Sequence, residues 1–149
     1  MNARDIMIRQ PHTIPPQLTI GEALRQMADL RLQDFPVVDE KKMLLGTLNF
    51  WQILELAMPP YISQGDLPDV RFAPNLVRFH ERLGELKPNP VTQVMNPHPP
   101  CARPDDSVLA CAALIMKTPK TVYLLPVVEG DRQLVGIISA WDLIKEIAG

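Results

Sequence analysis

Charge of one sign, cysteine, histidine and long apolar runs are all in short supply, and each shortage excludes something. Fifteen basic and seventeen acidic side chains leave a net charge of −2, so no electrostatic field invites nucleic acid or an anionic membrane as partner. The longest apolar run, which takes in Leu109 to Met116, falls far short of the ~20 residues that span a bilayer. The opening MNARDIMIRQPHTIPP lacks the basic-then-apolar layout of a secretory leader. The two cysteines, Cys101 and Cys111, are expected as reduced core or surface thiols, and a cytoplasmic location fits them.

The same poverty argues against a catalyst. His12, His80 and His98 and the cysteines show no C-x-x-C or H-x-x-x-H spacing, so no metal site is expected. Cys101 with His98 lacks the third, orienting group of a nucleophile–base pair. No G-x-x-x-x-G-K-[ST] or G-x-G-x-x-G loop occurs. Glu22, Glu55 and Glu81 fall on helices where a solvated face explains them. The expectation is a chain with no catalytic residues that is not an enzyme and requires no cofactor.

What is present is proline and repetition. Sixteen prolines in 149 residues are about twice the usual ~5%, and they punctuate strands and the joint between two similar halves. PVVDEKKMLLGTLNFWQILELAM, from Pro36, recurs ninety positions later as PVVEGDRQLVGIISAWDLIKEIAG, from Pro126. Pro36/Pro126, Val37/Val127, Val38/Val128, Gly46/Gly136, Trp51/Trp141, Leu54/Ile144 and Ala57/Ile147 fall in register. Two copies of one unit bury more than one could, and a chain this long can bury roughly 70% of its unfolded surface.

Each unit reads as a short helical lead-in followed by strand, helix, strand, strand, helix. The lead-ins are Ala3–Met7 and Thr92–Met95. Proline-bounded extended segments follow at His12–Ile14 and Pro100–Ala102. Thr19 caps a helix over Ile20–Arg31, with Ile20, Ala23, Leu24, Met27 and Leu30 on one face. Ser107 caps its counterpart, which carries Val108, Cys111, Ala112, Ile115 and Met116 and ends at Thr118–Pro119. Val122–Val128 and Leu134–Ile138 read as strands joined through Gly130–Asp131. The expected organisation is a first repeat over residues 1–58, a proline-rich joint over 59–90 and a second repeat over 91–149. The joint holds one helix candidate, Asn75–Leu86, with Leu76, Phe79, Leu83 and Leu86 in a stripe that packs on its own domain or on a partner.

These residues carry a resemblance. The repeated P-V-V-[DE] … L-[VL]-G-x-[LI]-x-x-W-x-[LI] pattern, with the VMNP lead and the PDDSV helix start, resembles the CBS domain, named after cystathionine β-synthase. A tandem pair is similar to a Bateman module, and the resemblance covers nearly all of the chain outside the joint. It implies an α/β (α+β) fold of two units packed as a pseudo-twofold pair through their sheets. It also implies clefts that bind adenosine-containing ligands and a homodimer with helices of each module at the contact.

At the strand-to-helix junction of the second repeat the family's G-x-x-S/T-x-x-D motif matches Gly136, Ser139 and Asp142. Ser139 and Asp142 suffice as a helix cap, with the acid near the positive end of the helix dipole. The same atoms could instead hold ribose hydroxyls and a sugar or phosphate oxygen. The first repeat has Gly46, Asn49 and Gln52 at these places, which keeps the capping chemistry and loses the carboxylate. The expectation is a nucleotide held through Asp142 and a degenerate first site. In the resembling family the purine lies against the first short strand and the strand ending in P-V-V, which implicates Cys101, Ala102 and Pro126 here. Lys117, Lys120, Arg103 and His98 are candidates for phosphate or for plain surface. Trp51 and Trp141 are expected in core or dimer packing rather than in base stacking.

Two function classes follow. One is a stand-alone sensor of AMP, ADP, ATP or S-adenosylmethionine that acts on a protein effector or through its dimer. The other is a ligand-free dimerisation or protein-interaction module.

Overall fold

Runs rich in valine and leucine build one hairpin at the centre of each repeat. The computed structural model describes residues 1–58, 76–118 and 124–149. In the first hairpin β1 (Asp34–Val38) pairs antiparallel with β2 (Leu44–Asn49); in the second β3 (Leu124–Glu129) pairs with β4 (Gln133–Ser139). The repetition reaches the irregularities, since the register shifts between Val37 and Val38 in one hairpin and between Val127 and Val128 in the other. The expected start of β3 at Val122 and the helix end at Pro119 lie outside the described residues.

The extended segments before the helices are single residues of pairing and not strands. Ile14 bridges in parallel to Val37, and Ala102 to Val127. Ile14 N–H donates to Pro36 O (3.0 Å) and Ala102 N–H to Pro126 O (2.8 Å). Pro15, Pro16, Pro100 and Pro104 lack the donors that would lengthen either ladder.

Helices cover these hairpins. α1 spans Ala3–Ile6, α2 Ile20–Leu30 and α3 Phe50–Ala57. α4 spans Leu76–Leu86, α5 Val108–Met116 and α6 Ala140–Ala148, with a 3₁₀ turn at Val91–Gln93. Thr19 and Ser107 cap α2 and α5 by accepting from Glu22 N–H and Ala110 N–H. Ile20, Ala23 and Met27 are buried on α2, but on α5 only Cys111 of the expected face is fully buried. α2 stops at Arg31, which takes a left-handed φ of 56°.

The two hairpins meet at their turn ends through a reciprocal pair of bonds. Leu44 N–H donates to Arg132 O (2.8 Å) and Leu134 N–H to Lys42 O (3.0 Å). Each bond is the other displaced by ninety positions, which is the signature of a pseudo-twofold axis. Val38, Leu44, Val128 and Leu134 form an apolar cluster there, with Cys101 against it.

The lead-ins are exchanged between repeats. Ala3 is buried with Ala102, Cys111, Leu125, Val127, Ile138 and Leu143, all of the second repeat. Ala3 N–H donates to Asp106 O, and Ile8 and Ile137 trade both backbone bonds at 2.8 and 3.0 Å. Conversely Val91 is buried with Ile14, Phe35 and Leu48 of the first repeat, and Asn96 trades both bonds with Thr47. α4 packs on its own chain: Leu83 and Leu86 lie against the first core, and Arg82 Nε donates to Leu56 O (2.7 Å). The expected Asn75 cap lies outside the described residues.

Candidate functional site

Each hairpin hands its second strand directly to a helix, so the junction places a cap at the mouth of each repeat. At Ser139 the cap is reciprocal. Ser139 N–H and Oγ–H both donate to Asp142 Oδ2, at 2.7 and 3.0 Å, and Asp142 N–H returns a long bond to Ser139 Oγ (3.4 Å). Asp142 is partly exposed, and its Oδ1 accepts no hydrogen bond among the described residues. One oxygen holds the helix; the other is left as an acceptor.

The first junction solves the same capping problem with amides. Asn49 N–H donates to Gln52 Oε1 (2.8 Å), and Asn49 Oδ1 accepts from Trp51 N–H (2.8 Å). Gln52 thus spends its acceptor on the cap and keeps an amide donor, the opposite polarity from Asp142. Asn49 is buried, and its Nδ2 donates to Asp34 Oδ1 (2.6 Å). Asp34 is a carboxylate that the sequence reading missed. Its signal was the strand register, which sets Asp34 opposite Asn49.

Asn49→Ala removes a buried side chain that both caps α3 and donates to Asp34, so it is expected to cost about 2 kcal/mol, the upper end of the capping range. Ser139→Ala should cost about 1 kcal/mol. Urea unfolding of the two variants checks the order.

The remaining expected positions are spread along the second hairpin. Ala102 is buried, its N–H bonded to Pro126 O and its carbonyl to Val128 N–H (2.9 Å). Pro126 pairs with Ile137, two positions along the strand from the Leu124–Ser139 pair beside the cap. Cys101 is half-buried between the hairpins; desolvation pushes its thiol up, against the pull of Arg132 and Arg103. Cys111 is a buried core thiol, also pushed up by desolvation and then by Asp106. The close approach at Gly136 is made by the protein itself, since a Cβ there would lie 2.9 Å from Ile8 O. At Gly46 it would lie 2.5 Å from Asn96 O.

Of the cationic candidates, Arg103 Nη1 donates to Gly130 O (2.7 Å) and lies over the second hairpin turn. Lys117 ends α5, and His98 follows Asn96 on the side of the first repeat. Lys120 lies outside the described residues. Neither tryptophan is in the core: Trp51 and Trp141 are 41% and 76% exposed. Trp51 Nε1 donates instead to Gln33 (3.2 Å).

An open cavity of about 570 Å³ lies on the first repeat, lined by residues 13–17 and 38–41. It holds Thr13 and Ile14, the counterparts of Cys101 and Ala102, and excludes both caps. In the second repeat Arg103 stands at the place of Pro15, and its bond to Gly130 O reaches the counterpart of the cavity residue Glu40. Among the described residues no group of three His, Cys, Asp or Glu side chains could hold a metal ion. No helix among them is long and apolar enough to cross a membrane.

Two α+β repeats, joined about a pseudo-twofold axis and each ending in a capped strand-to-helix junction, define the class. A family model described as the CBS domain matches residues 3–58 and 91–149, and the chain belongs to that family as a tandem pair. The chloroplastic CBS domain-containing protein CBSX2 of Arabidopsis thaliana is 24% identical over 138 residues, which is 90% of this chain and 57% of that protein. The chain therefore spans little more than half the length of that relative. The uncharacterized protein MJ1426 of Methanocaldococcus jannaschii is 25% identical over 99% of this chain and 91% of its own. The crystal structure of CBSX2 in complex with AMP superposes with a TM-score of 0.73 at 19% identity, over 99% of this chain and 96% of that one. The CBS domain pair of MJ0100, in complex with 5′-methylthioadenosine and S-adenosyl-L-methionine, gives 0.68 at 21% over 100% and 97%. At such identities the likeness to the solved structures is one of fold.

Proposed function

We propose that the chain is a regulatory module, and not an enzyme, that binds an adenosine-containing ligand in the second repeat. AMP, ADP, ATP and S-adenosylmethionine are the ligands of this reading. The observation that carries it is the division of labour at Asp142, where Oδ2 caps the helix and Oδ1 is left to accept from ribose hydroxyls. Ribose hydroxyls are donors toward a carboxylate, so the donor left on Gln52 suits them less. Gly136, Ser139, Asp142, Cys101, Ala102 and Pro126 form the site in this proposal, and Gly46, Asn49 and Gln52 its degenerate counterpart. The AMP complex of CBSX2 and the adenosyl complexes of the MJ0100 pair support the ligand class. Binding shifts the packing of the repeats only by its differential affinity for two arrangements. The shift is passed on through a homodimer or to a protein effector, in a reducing cytosol that suits the two free thiols.

Calorimetric titration of the full chain with the four ligands tests this, repeated on Asp142→Asn. One equivalent per chain is expected, with affinity at least about tenfold weaker in the variant, since a hydrogen bond to a charged group contributes ~1.5–3 kcal/mol. Equal affinity of the variant would remove Asp142 from the site. The second reading, a ligand-free interaction module, is favoured by the exposed Trp141 and Ile147. It takes over if folded protein gives no heat with any of the four.

A further inference from the structure

The first repeat closes its outer helical face with a helix of its own chain. α4 packs against α3, with Phe79, Leu83 and Leu86 half-buried along one stripe. Arg82 Nε donates to Leu56 O (2.7 Å). The tail behind α4 then caps α2: Ile20 N–H donates to Asn89 O (2.8 Å) and Gly21 N–H to Lys87 O (2.9 Å), which satisfies donors that a helix start leaves open. Beside this cover Ala57 is 1% exposed.

The matching face of the second repeat is open at each of these places. Leu109, at the place of Gly21, is 81% exposed, and Ile147, at the place of Ala57, is 82% exposed. Ala110 and Ala113 stand where the first repeat has Glu22 and Arg25. α5 is therefore apolar on its outward face until Lys117, and a helix apolar all round belongs in an interior. Val108 N–H donates to Met1 O (3.3 Å), the counterpart of Asn89 O, but Leu109 N–H has no acceptor among the described residues. Glu146, exposed and without an ion pair among them, takes the place of Leu56.

We propose that the α5–α6 face docks an amphipathic, basic helix of a protein effector, and that α4 on the first repeat is the internal likeness of that complex. The partner helix carries apolar anchors at the spacing of Phe79, Leu83 and Leu86, and they cover Leu109, Ile144 and Ile147. It carries a cation at the place of Arg82. There the first repeat offers only the Leu56 carbonyl, whereas the second adds the Glu146 carboxylate, so charge selects a basic partner. Lys145 beside it replaces Glu55, which among the described residues makes no ion pair with α4. Behind the helix, an extended tail supplies the carbonyl that Leu109 N–H lacks, as Lys87 O does for Gly21. An apolar stripe, an unpaired carboxylate and an open donor thus fall where the first repeat uses its own chain, and together they describe a helix laid in an apolar groove. This rests on the reading that the module passes its state to a protein effector, and it does not rest on the ligand.

The probe is a fluorescent peptide of residues 76–90, added to the full chain without nucleotide, so a failed titration with adenosyl ligands leaves this test standing and the reverse. Fluorescence anisotropy should show saturable binding in the micromolar range. Leu109→Glu and Ile147→Glu, both at exposed positions, should each weaken it at least about tenfold, as loss of a central apolar anchor does, with far-UV circular dichroism unchanged. A peptide with Arg82→Glu should bind as weakly, and Glu146→Arg in the chain should restore it. Absence of binding overturns the proposal. Binding that survives both Leu109→Glu and Ile147→Glu places the peptide on the first repeat and overturns it too, as does a charge swap that restores nothing. Sedimentation velocity of the chain alone is the last arm. A dimer that Ile147→Glu dissociates gives the face to a second copy and removes the effector from it.

Discussion

Deletion of residues 1–9 is expected to unfold the second repeat and leave the first hairpin folded, although the deleted segment precedes the first repeat. The segment holds the second repeat through Ala3 N–H to Asp106 O, Arg4 N–H to Pro104 O, the paired bonds of Ile8 with Ile137, and Val108 N–H to Met1 O. Each such bond contributes about 1 kcal/mol net. Loss of Ala3, Ile6 and Met7 from the second core removes apolar contact as well. The exposed Arg4–Asp105 ion pair adds little. The sum, about 5 kcal/mol, is comparable with the whole stability of a small domain. Hydrogen exchange should show protection lost in β4 and α5 and kept in β1 and β2. Loss confined to the first hairpin would mean that the exchanged packing is not the folded state in solution.

The exchange explains a limit of the sequence reading. Both lead-ins were legible as helical turns, because ARDIM and TQVM carry the right residues at matching places, although the second turn lies at Val91–Gln93. Which core each covers was not legible, because equivalent segments fit equivalent cores and no local residue distinguishes them. Chain geometry decides: the lead-in of one repeat reaches the strand edge of the other. The caps at Thr19, Asn49, Ser107 and Ser139 were legible for the opposite reason, since a cap is settled within four residues. The strand segments at His12–Ile14 and Pro100–Ala102 were overextended, because prolines that favour extended backbone also remove the donors a ladder needs. Of the expected core or dimer packing of Trp51 and Trp141, the core half failed for a related reason. Repetition marks them as equivalent but does not say which face of the helix they occupy.

The site was half legible. Ser139 and Asp142 could be read as a cap or as a ribose holder, and the structure shows how one carboxylate serves the cap with a single oxygen. Asp34 escaped notice, because its place beside Asn49 comes from strand pairing across fifteen residues of sequence. The cavity beside Thr13 and Ile14 is lined by Pro15, where the other repeat has Arg103. That contrast is visible in sequence only after the repeats are aligned.

Gly46→Ala is expected to be the most damaging single-methyl change in the chain. The added Cβ would sit 2.5 Å from Asn96 O and 3.2 Å from Asn96 C, both backbone atoms. Thr47 and Asn96 are locked by two hydrogen bonds of 3.0 and 2.9 Å, so the obstacle cannot step back without breaking them. Overpacking of this kind costs about 3 kcal/mol, or a fall of about 10 °C in Tm for a chain of this size. Gly136→Ala should cost about half as much. Its nearest obstacle is Met7 Sδ at 2.7 Å, the end of a flexible side chain, with Ile8 O behind it at 2.9 Å. Urea unfolding of both variants, each paired with its methionine truncation, separates the mechanisms. Met7→Ala should recover part of the loss in Gly136→Ala, whereas Met95→Ala should recover almost nothing in Gly46→Ala, because there the carbonyl is the obstacle. Equal rescue in both would place the conflict in the side chains and remove the backbone from the explanation.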